Sequence, residues 1–148
     1  MPYPTQVYQD EMAKLLRQLY PPPTPVRTEW RALESIAGLY SPRIDIAVGP
    51  FSVVRGRNYI QQYDGLMEKT RPFIERLRTY HCRNVDQYTV SDDETFPHVP
   101  PATFAELRTF NENARCLMAI EIENRVSRKH LLGGAVNASV LGRLAVLI

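Results

Sequence analysis

The feature that most constrains this chain is the stretch 117–123, where Met118, Ile120 and Ile122 alternate with Ala119, Glu121 and Glu123. That period of two is the mark of a β-strand with one face in a core, and it sends both carboxylates off the other face, roughly 6.5–7 Å apart. Ser127 is a good helix N-cap, and residues 128–141 read as a helix with two apolar stripes, Leu132, Val136, Ser139 and Val140 beside Leu131, Ala135 and Ala138. Two stripes predict a helix buried on a wide face. Gly142 ends it, and the run 144–148, Leu-Ala-Val-Leu-Ile, reads as a strand covered on both faces. Strand, helix and strand in this order predict a right-handed crossover between parallel neighbours. Glu121 and Glu123 then stand at the exit end of a central strand, where open α/β sheets place their ligands.

The rest of the chain supplies the other layers. Its 148 residues, 44% hydrophobic and 23% charged, suit one globular domain, with residues 1–25 as an N-terminal helix and Pro-rich connector and 26–148 as the core. No apolar run reaches the ~20 residues of a membrane span and no signal peptide is visible at the start, so the expected location is the cytoplasm. Cys82 and Cys116 do not form a disulfide framework or a zinc-like spacing. A net charge of +2 neither identifies nor repels a nucleic acid.

Residues 5–20 read as an amphipathic helix presenting Val7, Tyr8, Met12, Leu15, Leu16 and Leu19, followed by the stiff stretch 21–25, Pro-Pro-Pro-Thr-Pro. The spacing of Trp30, Leu33, Ile36, Ala37 and Tyr40 predicts a second helix over 28–39, with Glu29 and Glu34 on its flanks. Residues 43–48 read as a strand in which Ile44, Ile46 and Val48 alternate with Arg43, Asp45 and Ala47. A long helical pattern spans 57–80, bent or divided near Pro72, with a short strand at 85–90 and a helix at 102–113 beyond it. The acidic cluster Asp92, Asp93 and Glu94 with His98 is expected to be a hydrated turn.

Asp45, Glu121 and Glu123 are thus three carboxylates on two strands, all pointing away from the side chains that build the core. Clustered carboxylates repel, and a hard divalent cation such as Mg2+ (or Mn2+) reconciles them. Such an ion polarises a phosphoryl oxygen and supplies a hydroxide for attack on a phosphodiester. Arg125, Arg128 and Lys129 follow directly, with positive charge for a substrate phosphate; Lys129 is the nearest group to steady the developing charge, and His130 is an alternative base. The competing reading leaves Glu121 and Glu123 facing solvent and pairs Asp45 with Arg43 or another arginine.

Asp45 within 42–48, Pro-Arg-Ile-Asp-Ile-Ala-Val, followed by Glu121-Ile122-Glu123 and a buried helix, resembles the PD-(D/E)XK, or restriction-endonuclease-like, nuclease superfamily. The resemblance covers residues 28–51 and 113–148. It implies an α/β fold, a mixed central sheet flanked by helices, with Asp45 and Glu121 as the metal ligands and a DNA substrate, beside Glu123, which the carboxylate cluster adds to the metal and catalytic set. Glu123 stands where that family carries a lysine, which nominates Lys129 from the following helix in its place. A carboxylate from the first core helix also recurs there, a role open to Glu34 or Glu29. Cutting both strands of a duplex would call for a homodimer. The alternative is the same fold without chemistry, serving as a nucleic-acid-binding or assembly subunit. A third reading, a small-molecule enzyme, has no motif of its own.

Overall fold

The computed structural model describes residues 3–33, 41–53, 57–88, 100–124 and 127–148. In chain order its elements are α1 (Pro4–Leu19), β1 (Val26–Arg31), β2 (Arg43–Val48), α2 (Ile60–Lys69), α3 (Arg71–Tyr88), α4 (Phe104–Leu107), β3 (Cys116–Glu121), α5 (Arg128–Leu141) and β4 (Gly142–Leu147). The protein is mixed α/β, with one four-stranded sheet of order β1-β2-β3-β4. β1 and β2 pair antiparallel, as do β2 and β3, while β3 and β4 are parallel. The expected strand, helix and strand unit is therefore present, and β3 is a central strand. Among the described residues no helix is long and apolar enough to cross a membrane.

Both faces of β3 are buried, each by a different layer. Ile46, Val48, Met118, Ile120 and Leu144 meet Ala13, Leu16 and Tyr20 of the α1 region, Tyr63 and Met67 of α2, and Ile74 and Phe104. On the other side Ala47, Cys116 and Ala119 meet Trp30 and the inner face of α5, Ala138 and Leu141. Small side chains on both partners let α5 lie close to the sheet.

The α5 helix has the expected bounds and the expected Ser127 cap, whose Oγ accepts from the His130 N–H at 3.3 Å. Its orientation is not the expected one. The stripe Leu132, Val136 and Val140 is 67%, 49% and 59% exposed, and Gly134, Ala138 and Leu141 face inward. Close approach selects the small residues over the larger apolar ones. At the far end, the Asn111 side-chain amide donates to the carbonyls of Ser139, Val140 and Gly142, satisfying groups the last turn leaves unpaired. Gly133 lies on the open side, with nothing within 4 Å of where a Cβ would stand. Gly133→Ala is therefore expected to stabilise the fold by about 0.5–1 kcal/mol through helix propensity alone, measured by thermal unfolding. A loss of stability would show that this face is covered.

Several other expectations are corrected. The segment read as a helix over 28–39 is strand β1 as far as Arg31, and residues 34–40, including Glu34, lie outside the described residues. Its pairing with β2, Thr28 opposite Ile46 and Trp30 opposite Ile44, overrides the 3.6-residue spacing. Glu29 has a positive φ of 53°, rare for a residue with a Cβ. Val26, before it, joins the α1-side cluster, whereas Trp30, after it, joins the α5-side cluster. The helical pattern at 57–80 is divided as the sequence allowed, though at Thr70, with Pro72 in the first turn of α3, where its missing N–H costs little. Val85 continues α3 instead of starting a strand; residues 89–99, with Asp92, Asp93, Glu94 and His98, lie outside the described residues. The helix expected over 102–113 is the single turn α4, held by a capping box between Thr103 and Glu106. In α1 the buried positions are Gln9, Ala13 and Leu16, while Val7, Tyr8 and Leu15 are exposed. β4 is covered on both faces only at its start, and Ala145, Leu147 and Ile148 are exposed.

Candidate carboxylate site

Antiparallel register places Ile46 opposite Ile120. One step further along each strand, Asp45 stands opposite Glu121. The two carboxyl groups are hydrogen-bonded to each other. Asp45 Oδ2 in turn accepts from the Ile122 N–H at 2.8 Å. Two carboxylates so close cannot both carry charge cheaply. Burial, and then the negative charge of Asp45, push the Glu121 carboxyl up to about 7. Glu121 is 7% exposed. It does not face solvent, because the face opposite the α1-side core is the face that α5 covers.

The helices on the two sides of the sheet reach this pair differently. From α1, the buried Gln9 amide donates to the Asp45 carbonyl at 2.6 Å and to Glu29 Oε1 at 3.0 Å. From α5, the Asn137 side chain acts on the Glu121 carboxyl in the opposite sense to burial, favouring its charged form. Gly134 lies so close that a Cβ there would be 3.4 Å from Glu121 Cβ and 3.2 Å from Glu123 Oε1. Glu123 is half-buried on the same side of the sheet, its N–H bonded to the Ile148 carbonyl at 2.8 Å. Among the described residues no three His, Cys, Asp or Glu side chains are grouped closely enough to hold a metal ion as they stand. The pair is assembled; the third carboxylate is adjacent.

Arg43 does not neutralise Asp45, since its Nε pairs with Glu29 Oε2 at 2.7 Å. Half-exposed on both sides, that ion pair contributes little to stability. Lys129 is exposed in the first turn of α5. At 100° per residue its direction lies about 140° around the helix from Gly134, so it faces outward from the carboxylates. Arg43 begins β2 and Arg128, Lys129 and His130 begin α5, which puts all four cationic or titratable side chains at the end of the sheet where β3 finishes. Arg125 lies outside the described residues.

Gln9 carried no signal in the sequence, because a glutamine on a surface-like helix is commonplace. Asn137 and Gly134 were visible only as two polar or small interruptions in an apolar helix. Chemically, the arrangement can share one proton between Asp45 and Glu121 or exchange that proton for a cation. Comparison with protein-family models, with curated proteins and with solved structures finds no match to this chain.

Proposed function

We propose that this chain is a divalent-cation-dependent nuclease of the restriction-endonuclease-like type, acting on DNA. The observation that carries the reading is the pair formed by Asp45 and Glu121, side by side at the ends of two adjacent central strands and hydrogen-bonded to each other. A mixed sheet with helices on both faces, and a strand, helix and strand unit whose first strand ends at Glu121, supports the fold assignment.

The donor set suits a hard ion: oxygen ligands only, partly buried, with repulsion that a cation would relieve. Asp45 and Glu121 would hold Mg2+ or Mn2+, with Glu123 as the third carboxylate. When bound, the ion supplies Lewis acidity toward a phosphoryl oxygen and lowers the pKa of its water. Gln9 and the Ile122 N–H hold Asp45 in place. The cations at the same end of the sheet, Arg43, Arg128 and Lys129, would meet the phosphate backbone, and Lys129 reaches a scissile phosphate only from outside the carboxylate pair. Of the two helix-carboxylate candidates, Glu29 sits on β1 but reaches the site through Gln9. Two copies would serve the two strands of a duplex. The second reading, a nucleic-acid-binding subunit without chemistry, is favoured by the burial of Glu121 and the outward direction of Lys129.

Calorimetry with Mg2+ and Mn2+ on the parent and on Asp45→Asn, with plasmid cleavage on the same samples, separates them. The nuclease reading expects binding by the parent and a loss on the order of 100-fold or more in affinity and cleavage in the variant. No binding at millimolar ion would end that reading, and DNA binding that weakens steeply with salt would then favour the second.

A further inference from the structure

The sheet ends differently at its two edges. At β1 the exposed side chains are Arg27, Glu29 and Arg31, and the positive φ at Glu29 interrupts the strand, two features that keep an edge from pairing with another chain. At β4 the open stretch is residues 145–148, which carry no charge and pair regularly with β3. We propose that this edge is a dimer interface, on which β4 of a second copy pairs antiparallel about a two-fold axis through Val146 and joins two four-stranded sheets into one. Neither the edge nor its partner depends on what the carboxylate pair binds.

The backbone of the edge is complementary to itself. Ile148 donates its N–H to the Glu121 carbonyl and accepts from the Glu123 N–H, so by alternation Val146 also bonds toward β3, while the N–H and C=O groups of Ala145 and Leu147 point to the open side. Nearer the start of β4 the edge is closed: Arg143 is buried, donating to the Phe110 carbonyl at 2.6 Å and to Asp64 Oδ1 at 3.2 Å. With the axis at Val146, Ala145 of each copy stands opposite Leu147 of the other, and every outward donor meets an outward acceptor.

The helices agree with the same axis. Gly134 approaches both Glu121 and Leu147, so α5 lies over β3 and β4. In the joined sheet the two α5 helices share one face, two strand spacings or ~9.6 Å apart, inside the 8–10 Å at which helices pack. Ala135 and Ser139 lie about 100° and 140° around α5 from Gly134. With Val136 they line a groove of about 340 Å3 against Ala145 and Leu147, on the side where the partner helix would lie. Exposed Leu132, Val136, Leu147 and Ile148 offer roughly half of the ~800 Å2 per copy that a standard interface buries, which sets the expected affinity in the micromolar range.

Sedimentation equilibrium from about 1 to 200 μM, with disulfide capture, tests the interface. The parent is expected to dimerise with a micromolar Kd. Ala145→Pro removes an outward N–H and spares the ladder to β3, and Leu132→Lys places a charge on the outer surface of α5. Each is expected to weaken dimerisation at least tenfold, with the thermal midpoint of dilute protein nearly unchanged. In a Cys82→Ser background, Val146→Cys is expected to link two copies on air oxidation, because its Cα atoms stand ~4.5 Å apart across the axis, whereas those of Ala145→Cys are diagonal neighbours at ~7–8 Å and out of reach. If Ala145→Pro does not fold, Leu132→Lys and the two cysteine variants decide. A parent that is monomeric at 200 μM, leaving the edge to a strand of some other chain, would overturn the proposal. So would a dimer that neither variant weakens, or one that Ala145→Cys links as readily as Val146→Cys.

Discussion

At pH 8 the Glu121→Gln protein is expected to be more stable than the parent by about 3 kcal/mol, and the gap is expected to close as the pH falls toward 4.5. The carboxyl titrates near 4.5 when free and at about 7 in the folded protein, raised first by burial and then by Asp45. Between those values the folded state holds a proton that the unfolded chain has released. The contribution of Glu121 to stability is therefore fully present below pH 4.5 and is lost as the pH rises through about 7. Glutamine keeps the shape while removing the titration. Urea unfolding of both proteins across this window measures the effect as a difference, in which the titrating groups remote from the pair cancel. A difference that stays constant within about 1 kcal/mol from pH 4.5 to 8 would mean that the pair is not buried and coupled as described. The same experiment bears on the metal. Mg2+ bound by the folded parent at a hundred times its Kd would return about 2.7 kcal/mol at pH 8, and would return less to the glutamine variant.

Trp30→Ala is expected to cost about 3–5 kcal/mol, the range for removing a large aromatic side chain from a core. Trp30 is 2% exposed and stacks on Phe51, ring centroids 4.7 Å apart, with the Arg27 guanidinium 5.0 Å from the centre of the Phe51 ring. It fills the space beside Ala47, Ala119 and Ala138, whose small side chains cannot expand into the hole it would leave. Trp30→Phe retains a ring to stack and should cost much less. The free energy of chemical denaturation measures both. A loss below about 1 kcal/mol for the alanine variant would remove Trp30 from the core and reopen the arrangement of the first strand pair.

The same residue shows where the sequence was ambiguous. Trp30, Leu33, Ile36, Ala37 and Tyr40 recur at helical spacing, yet the described part of that segment pairs with β2 as a strand. Hydrogen bonding to a neighbouring strand is a tertiary fact, and no local window contains it. The positive φ at Glu29 adds to the disguise, because it breaks the alternation that would have marked the strand. By contrast, residues 43–48 and 117–123 alternate cleanly, and their register could bring Asp45 and Glu121 together once the strands were adjacent. The alternation assigned the two faces of 117–123 correctly but said nothing about what covers the second one. That is why the sequence could place Glu121 away from the core-building side chains, with solvent as the competing reading, without showing that α5 lies over it. For α5 the bounds were legible from Ser127 and Gly142, whereas the buried side was not, since two apolar stripes compete and only the sheet's own small residues decide between them.

The order of pairing has a consequence for how the chain reaches this structure. β1 meets β2 and β3 meets β4 through contacts formed largely within each end of the chain, but Val48 and Met118, partners in the middle of the sheet, are seventy positions apart. Everything in α2, α3 and α4 is threaded between them. Joining the halves closes a long loop, an entropic step that slows folding more than it weakens the folded state. The carboxylate pair straddles that seam. It exists only after the closure, so neither half of the chain can assemble the site alone.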